Sequence, residues 1–235
     1  MSKFIFDVDG TLTPSRGKMD KEFAAWFEQF ATHNAVYLVT GSDRDKTIEQ
    51  VGATIYNLAV KVYNCSGNDV WEQNNNVFTN TWSIPEEAEA WLREELALSK
   101  FPLRTGLHIE DRPGMCNFSV VGRNATLGER KLYVQHDERT EERVTIAKMF
   151  KQKFPDIEAV VGGETGIDIF PVGADKSQIM RDFSQNDTIL FFGDRMDEDG
   201  NDFPLAQANK NGMNYSVNGW QDTWSKLNAY MSNGS

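Results

Sequence analysis

The stretch FIFDVDGTLTPSR, residues 4–16, decides how the rest of the chain is read. Phe4, Ile5 and Phe6 are a short apolar run of the kind that fills a central parallel strand, and the Asp-Gly pair that follows turns the chain. Asp7 and Asp9 stand two positions apart, so on a strand their side chains would point the same way. Open α/β sheets bind ligands at the carboxyl ends of their strands, where this pair would converge. Two like charges held there require a cation or a proton.

Working outward, KEFAAWFEQFAT places Phe23, Trp26, Phe27 and Phe30 at helical spacing. AVYLVTGS reads as a second buried strand, with Ser42 expected to cap the helix DRDKTIEQV that stops at Gly52. VKVYNCSG is a third strand, and VWEQNNNVFTN a hairpin turning at its asparagines. Near Trp82 the alternation changes. A helix PEEAEAWLREELAL is followed by strands around GLHIED and MCNFSVVG, a helix TEERVTIAKMFKQKF, and strands IEAVVGG and GIDIFPV. From Asp175 the first pattern returns with helix KSQIMRDFS, strand TILFFGD, an Asp/Asn-rich loop, strand NYSV and a last helix around WQDTWSKLNAYM. The expected architecture is α/β: a parallel-sheet core from 1–81 and 175–235, interrupted by an inserted α+β layer from 82–174.

A chain of 235 residues can bury a sizeable core. The net charge of −11 argues against nonspecific attachment to nucleic acid or an anionic membrane, though clustered arginines can still make a local anion site. No apolar run has the length of a membrane span, and the chain runs directly into its first strand with no signal-peptide pattern. Cys65 and Cys116 match no metal spacing and read as reduced packing thiols, so the expectation is a cytoplasmic protein. His33, His108 and His136 lack partners at catalytic or metal spacing, and Asp197 and Asp199 read as solvated loop residues.

Four separated elements could meet at the sheet edge: Asp7 and Asp9, the VTGS turn with Thr40 and Ser42, Lys176, and the loop carrying Asp194, Asn201 and Asp202. An aspartate nucleophile, a hydroxyl-bearing turn, a lysine and a second acidic loop make a phosphoryl-transfer site, with magnesium as the neutralising cation.

DVDGTLT with a downstream lysine and a GD...ND loop resembles the haloacid dehalogenase superfamily of aspartate-dependent phosphotransferases. More narrowly, DVDGTLTPSR, GSDRDKTIEQVG, EDRPGMCNFSVVGRNATLGER, GIDIFPVGADKS, FFGDRMDEDGND and NYSVNGWQDT resemble, in order, the blocks of the eukaryotic-type phosphomannomutases over nearly the whole chain. The resemblance implies a Rossmann-like core with a mobile cap, and an isomerase that converts mannose 6-phosphate to mannose 1-phosphate for GDP-mannose synthesis. It implies Asp7 as nucleophile, Asp9 as general acid/base and Lys176 on the phosphate side. Magnesium would be held by Asp7, the Asp9 backbone carbonyl and Asp194, with Asp202 in or near that shell. Arg16 would meet substrate at the core–cap boundary, Arg112, Arg123 and Arg130 would bind the nonreacting phosphate, and Asn117 and Asp168 would face the sugar. A hexose 1,6-bisphosphate activator and a homodimer through the cap also follow from the resemblance.

Two positions depart from that pattern. Gly166 stands where the family's SFDVFP block has serine, and Thr40 restores a hydroxyl where the family has glycine. Both point toward the second reading, a magnesium-dependent sugar-phosphate phosphatase. A third reading, a noncatalytic sugar-phosphate sensor, would leave the nucleophile without a use.

Overall fold

The structure, a computed structural model, describes residues 2–233. A seven-stranded sheet is built from β1 (Lys3–Phe6), β2 (Ala35–Val39), β3 (Lys61–Asn64), β4 (Asp69–Glu72), β5 (Asn75–Thr79), β10 (Ile189–Gly193) and β11 (Met213–Ser216). Its order is β11-β10-β1-β2-β3-β4-β5, parallel from β11 to β3, with β4 antiparallel to both β3 and β5. The two strands flanking β1 are reached in opposite directions along the sheet. Their carboxyl ends therefore open a crevice beside Asp7, the place where doubly wound sheets bind ligands.

Alternate residues of β1 explain why the run is apolar throughout. Phe4 and Phe6 pack on α1 (Lys21–His33) through Phe23, Phe27 and Phe30, while Ile5 packs the opposite way with Tyr37, Val39 and Phe191. A strand covered on both faces has no polar side to show. Asp20 caps α1 by accepting from the backbone N–H groups of Glu22 and Phe23. On α2 (Arg44–Val51) the cap is Asp43, which accepts from the Lys46 N–H at 2.8 Å, and not the expected Ser42. Ser42 is drawn instead into the site below.

A four-stranded antiparallel sheet lies apart, with β6 (Ile109–Arg112), β7 (Met115–Phe118), β8 (Ile157–Gly162) and β9 (Gly166–Pro171) in the order β6-β7-β9-β8. The α/β class with a parallel core and a separate α+β layer is thus as expected. One face is apolar: Cys116, Phe118, Ile167 and Ile169 pack with Trp91 of α4 (Glu86–Leu98), Tyr133 of α5 (Leu127–Thr140) and Phe150 of α6 (Glu142–Lys153). On the other, Glu110 pairs in register with Asn117, and Asn117 with Asp168. Period-two alternation puts the polar row on the face away from the helices.

Helix α5 was not anticipated. It carries no apolar stripe, and its buried residues are Arg130, Tyr133 and Asp137. Its one sequence signal is the reciprocal cap in which Thr126 and Glu129 satisfy each other's backbone. Residues Lys176–Asp182 form a 3₁₀ segment where an α-helix was expected, and short helices α3 (Ala53–Leu58) and α7 (Phe203–Ala208) complete the set together with α8 (Trp220–Asn233).

Candidate active site

Asp7 follows the last residue of β1, and its N–H bonds the Phe192 carbonyl at 2.9 Å, so the parallel pairing carries the residue to the sheet edge. Its Oδ1 accepts from Lys176 Nζ at 2.6 Å, and the same ammonium donates to Asp202 Oδ1 at 2.8 Å. Thr11 Oγ1 donates to Asp7 Oδ2 at 3.4 Å. Asp202 is further fixed by accepting the Arg195 N–H at 3.1 Å. Gly10 makes the close approach possible: it sits at φ +77°, and a Cβ there would lie 2.3 Å from Asp194 Oδ2.

Oxygens of Asp7, Asp194 and Asp202 converge to within 4.8 Å of one another. Burial raises the Asp7 carboxyl well above its ordinary range, with Lys176 opposing and Asp202 and Asp194 adding to the rise. Burial, then Asp202, pushes Asp194 up to about 7. Although burial opposes its charge, Asp202 and then Asp7 hold the Lys176 ammonium well above its usual value. One ammonium among three carboxylates leaves a deficit of positive charge, and an all-oxygen donor set of this kind suits a hard divalent cation such as magnesium. A cation held by the Asp194 carboxylate would need it ionised, so its affinity is expected to weaken as pH falls through about 7, by about tenfold per unit or more below it because Asp7 is raised as well. Calorimetric titration with magnesium between roughly pH 8 and pH 6 reads this directly. A flat profile would show that Asp194 is ionised throughout that range or takes no part in holding the cation.

Asp9 faces a different way. Its Oδ1 accepts from the Arg16 N–H at 2.6 Å and from Gln50 Nε2 at 2.9 Å, and its Oδ2 accepts from Ser42 Oγ at 3.2 Å. Gln50, fully buried, also donates to Thr13 Oγ1. Thr40 Oγ1 accepts the Ser42 N–H at 3.0 Å and so shapes the turn at the end of β2.

The polar face of the four-stranded sheet closes over this edge. Arg112 donates from Nη1 to the Gly41 carbonyl at 2.5 Å and from Nε to Glu110 at 3.0 Å. Arg123 pairs with Glu110 at 3.0 Å and donates to Asn117 Oδ1 at 2.9 Å, while Asn117 Nδ2 donates to Asp168 Oδ1 at 2.7 Å. Arg16 Nη1 reaches the Arg123 carbonyl at 3.2 Å. Arg130 donates to Thr165 Oγ1 at 3.1 Å and to Glu164 at 3.3 Å. Burial, followed by the Arg112 and Arg16 charges, pushes Arg123 down to about 9, and burial followed by Arg16 lowers Arg130. Four crowded guanidinium groups therefore form a cluster that an anion would relieve.

All of the sequence-derived site residues except Lys176 and Asp202 line one cavity: Asp7, Asp9, Arg16, Thr40, Ser42, Arg112, Asn117, Arg123, Arg130, Gly166, Asp168 and Asp194. Lys176 and Asp202 lie buried behind Asp7. Sequence reasoning missed Gln50, Thr165 and the carboxylates Glu110 and Glu164. Glu110 stands two residues before Arg112 on the same strand face, the one signal that could have found it. Asp199 is solvated, as expected, and lies 3.8 Å from the likewise exposed Lys148 of α6.

A family model described as eukaryotic phosphomannomutase matches residues 23–233. The chain is 32% identical to human phosphomannomutase 1 over 93% of its own length and 88% of that protein. It is 30% identical to the Schizosaccharomyces pombe phosphomannomutase, over 95% and 91% of the two lengths. Among solved structures, an IMP-bound Plasmodium falciparum IMP-nucleotidase mutant superposes with TM-score 0.62 at 15% identity, covering 99% of this chain and 67% of that one. A trehalose-6-phosphate phosphatase related protein gives 0.57 at 16% identity, covering 99% and 98%. The structural likenesses speak to the fold alone. No helix among the described residues is long and apolar enough to cross a membrane.

Proposed function

This chain belongs to the eukaryotic phosphomannomutase family of enzymes, and from that premise we propose that it interconverts mannose 6-phosphate and mannose 1-phosphate through a phosphoaspartate at Asp7 and a hexose 1,6-bisphosphate. The observation that carries the reading is the single cavity with two unlike ends, the Asp7/Asp9 edge and the arginine cluster. A mutase must hold two phosphates at once, one reacting and one parked. Bidentate guanidinium contacts suit the parked dianion.

In this scheme Asp9 takes the proton of the sugar's free hydroxyl as that oxygen bonds to phosphorus and the acyl-phosphate bond at Asp7 breaks. The bisphosphate then turns end for end. Asp7 attacks the other phosphate, Asp9 returns the proton to the leaving oxygen, and the phosphoenzyme is restored. Magnesium at Asp7, Asp194, Asp202 and the Asp9 backbone carbonyl would neutralise charge on the transferring group. Lys176 holds Asp7 toward the reacting phosphate, and the donors on Asp9 aim its carboxylate. Arg112, Arg123 and Arg130 must exchange Glu110 and Glu164 for the parked phosphate, so the cap, taken as residues 82–174, has to open and close around each substrate. Closure also shields the phosphoenzyme from water. Mannose 1-phosphate made this way would feed GDP-mannose synthesis in the cytoplasm, and the family's cap-to-cap dimer is the assembly we expect.

The phosphatase reading keeps two features in its favour, the glycine at 166 and the hydroxyl of Thr40 at the end of β2. The test supplies mannose 1-phosphate, magnesium and a trace of hexose 1,6-bisphosphate, and measures mannose 6-phosphate and free phosphate separately. Mannose 6-phosphate in large excess is expected. Free phosphate as the main product would replace the mutase by the phosphatase.

A further inference from the structure

Gly166 removes a hydroxyl from the cap, and the structure shows that none could be put back at that position without disturbance. A Cβ on Gly166 would lie 2.5 Å from Asn117 Nδ2 and 3.0 Å from its Oδ1. Asn117 fills that space while bridging Arg123 and Asp168, so the missing side chain is what lets the bridge form.

One residue earlier, in the turn between β8 and β9, Thr165 lines the same cavity and is buried, with 1% exposure. A threonine hydroxyl has one proton to donate and two lone pairs to accept with. Here it accepts from Arg130 Nη1, and among the described residues no protein oxygen accepts its own proton. Arg130 is itself buried, and its Nε has no partner. Its remaining contact, Glu164, has a side chain 48% exposed and is easily surrendered. A buried hydroxyl proton and a buried guanidinium N–H, both unspent on hydrogen-bonded residues that line one cavity, call for an acceptor that the protein does not supply.

We propose that Thr165 is a ligand of the nonreacting phosphate monoester, donating its hydroxyl proton to a phosphate oxygen while accepting from Arg130. The cap hydroxyl has thus moved by one residue, from the strand position occupied by Gly166 to the turn. This assignment rests on the mutase reading above.

The test is calorimetric titration of mannose 1-phosphate with magnesium present, in full-length protein carrying Asp7→Asn so that nothing turns over. Thr165→Val keeps the shape and removes the hydroxyl, and Thr165→Ala repeats the removal with less bulk should the valine variant fold poorly. Both should weaken binding about tenfold or more, the usual effect of losing a hydrogen bond to a charged group, while Thr165→Ser should stay within about threefold of the parent. If Val and Ala bind like the parent while Arg123→Ala does not, Thr165 is no ligand and the arginine site stands without it. If Ser binds as weakly as Val, the methyl and not the hydroxyl matters, and the proposal fails. If Arg123→Ala also binds like the parent, the mutase reading itself falls.

Discussion

Asp7→Asn is expected to abolish turnover of every phosphorylated substrate, a loss of roughly 10⁴-fold or more in kcat, because the amide keeps the side chain's volume but cannot attack phosphorus. The fold should survive. Lys176 retains Asp202 at 2.8 Å, and one of three crowded carboxylates has become neutral. The thermal midpoint measured in chelator should therefore hold or rise. Rapid quench with labelled hexose bisphosphate would look for acid-stable phosphoprotein in the variant, and finding it would move the nucleophile elsewhere.

Lys176→Met should have the largest effect on stability. The ammonium is 1% exposed and is bonded to two buried carboxylates, so its removal leaves Asp7 and Asp202 without a protein cation. Breaking a buried pair in this way costs about 3–5 kcal/mol. The sign of its pH dependence follows from the carboxyls. Groups whose folded values stand above the unfolded ones bind protons more tightly in the native state, so their penalty is absent at low pH and grows as pH rises through the window between the two. For Asp194 in the intact protein that window runs from the ordinary carboxylate range to about 7. Without the lysine the penalty deepens, and in chelator the variant should lose stability steeply as pH rises through that window. Thermal melts at several pH values with and without magnesium check this; a variant as stable as the parent above neutral pH would show that Lys176 is not what neutralises the cluster.

Much of this molecule could be read along the chain because its signals are local. The apolar run before Asp7, the stripe Phe23, Phe27 and Phe30, and the Asp-Gly turn each express a preference that neighbouring residues enforce by backbone geometry, and the structure realises them as β1, α1 and a sheet-edge turn. The arginines at 112, 123 and 130 were legible as a group through the family blocks that hold them. Helix α5 was not, since its inward face is polar: Asp137 accepts from Arg143 of the next helix and Arg130 donates to Thr165 in the β8–β9 turn, and periodicity of hydrophobic residues has nothing to detect there.

What only the tertiary structure decided are the pairings between distant segments. Gln50 reaches Asp9 across 41 positions, Asn117 reaches Asp168 across 51, and Lys176 reaches Asp7 across 169. Of these residues only Gln50 carries no mark of its own in the sequence; for the others the sequence marks the residue but not the atom it bonds. That atom is chosen by where strand register and sheet order bring a donor within about 3 Å of an acceptor. The same holds for the hydroxyl at 165. Sequence determined that this chain has an aspartate poised at a parallel sheet edge and arginines elsewhere to face it. Folding decided which groups those charges touch, since burial forces each polar atom to find a partner from whatever segment lies nearest in space.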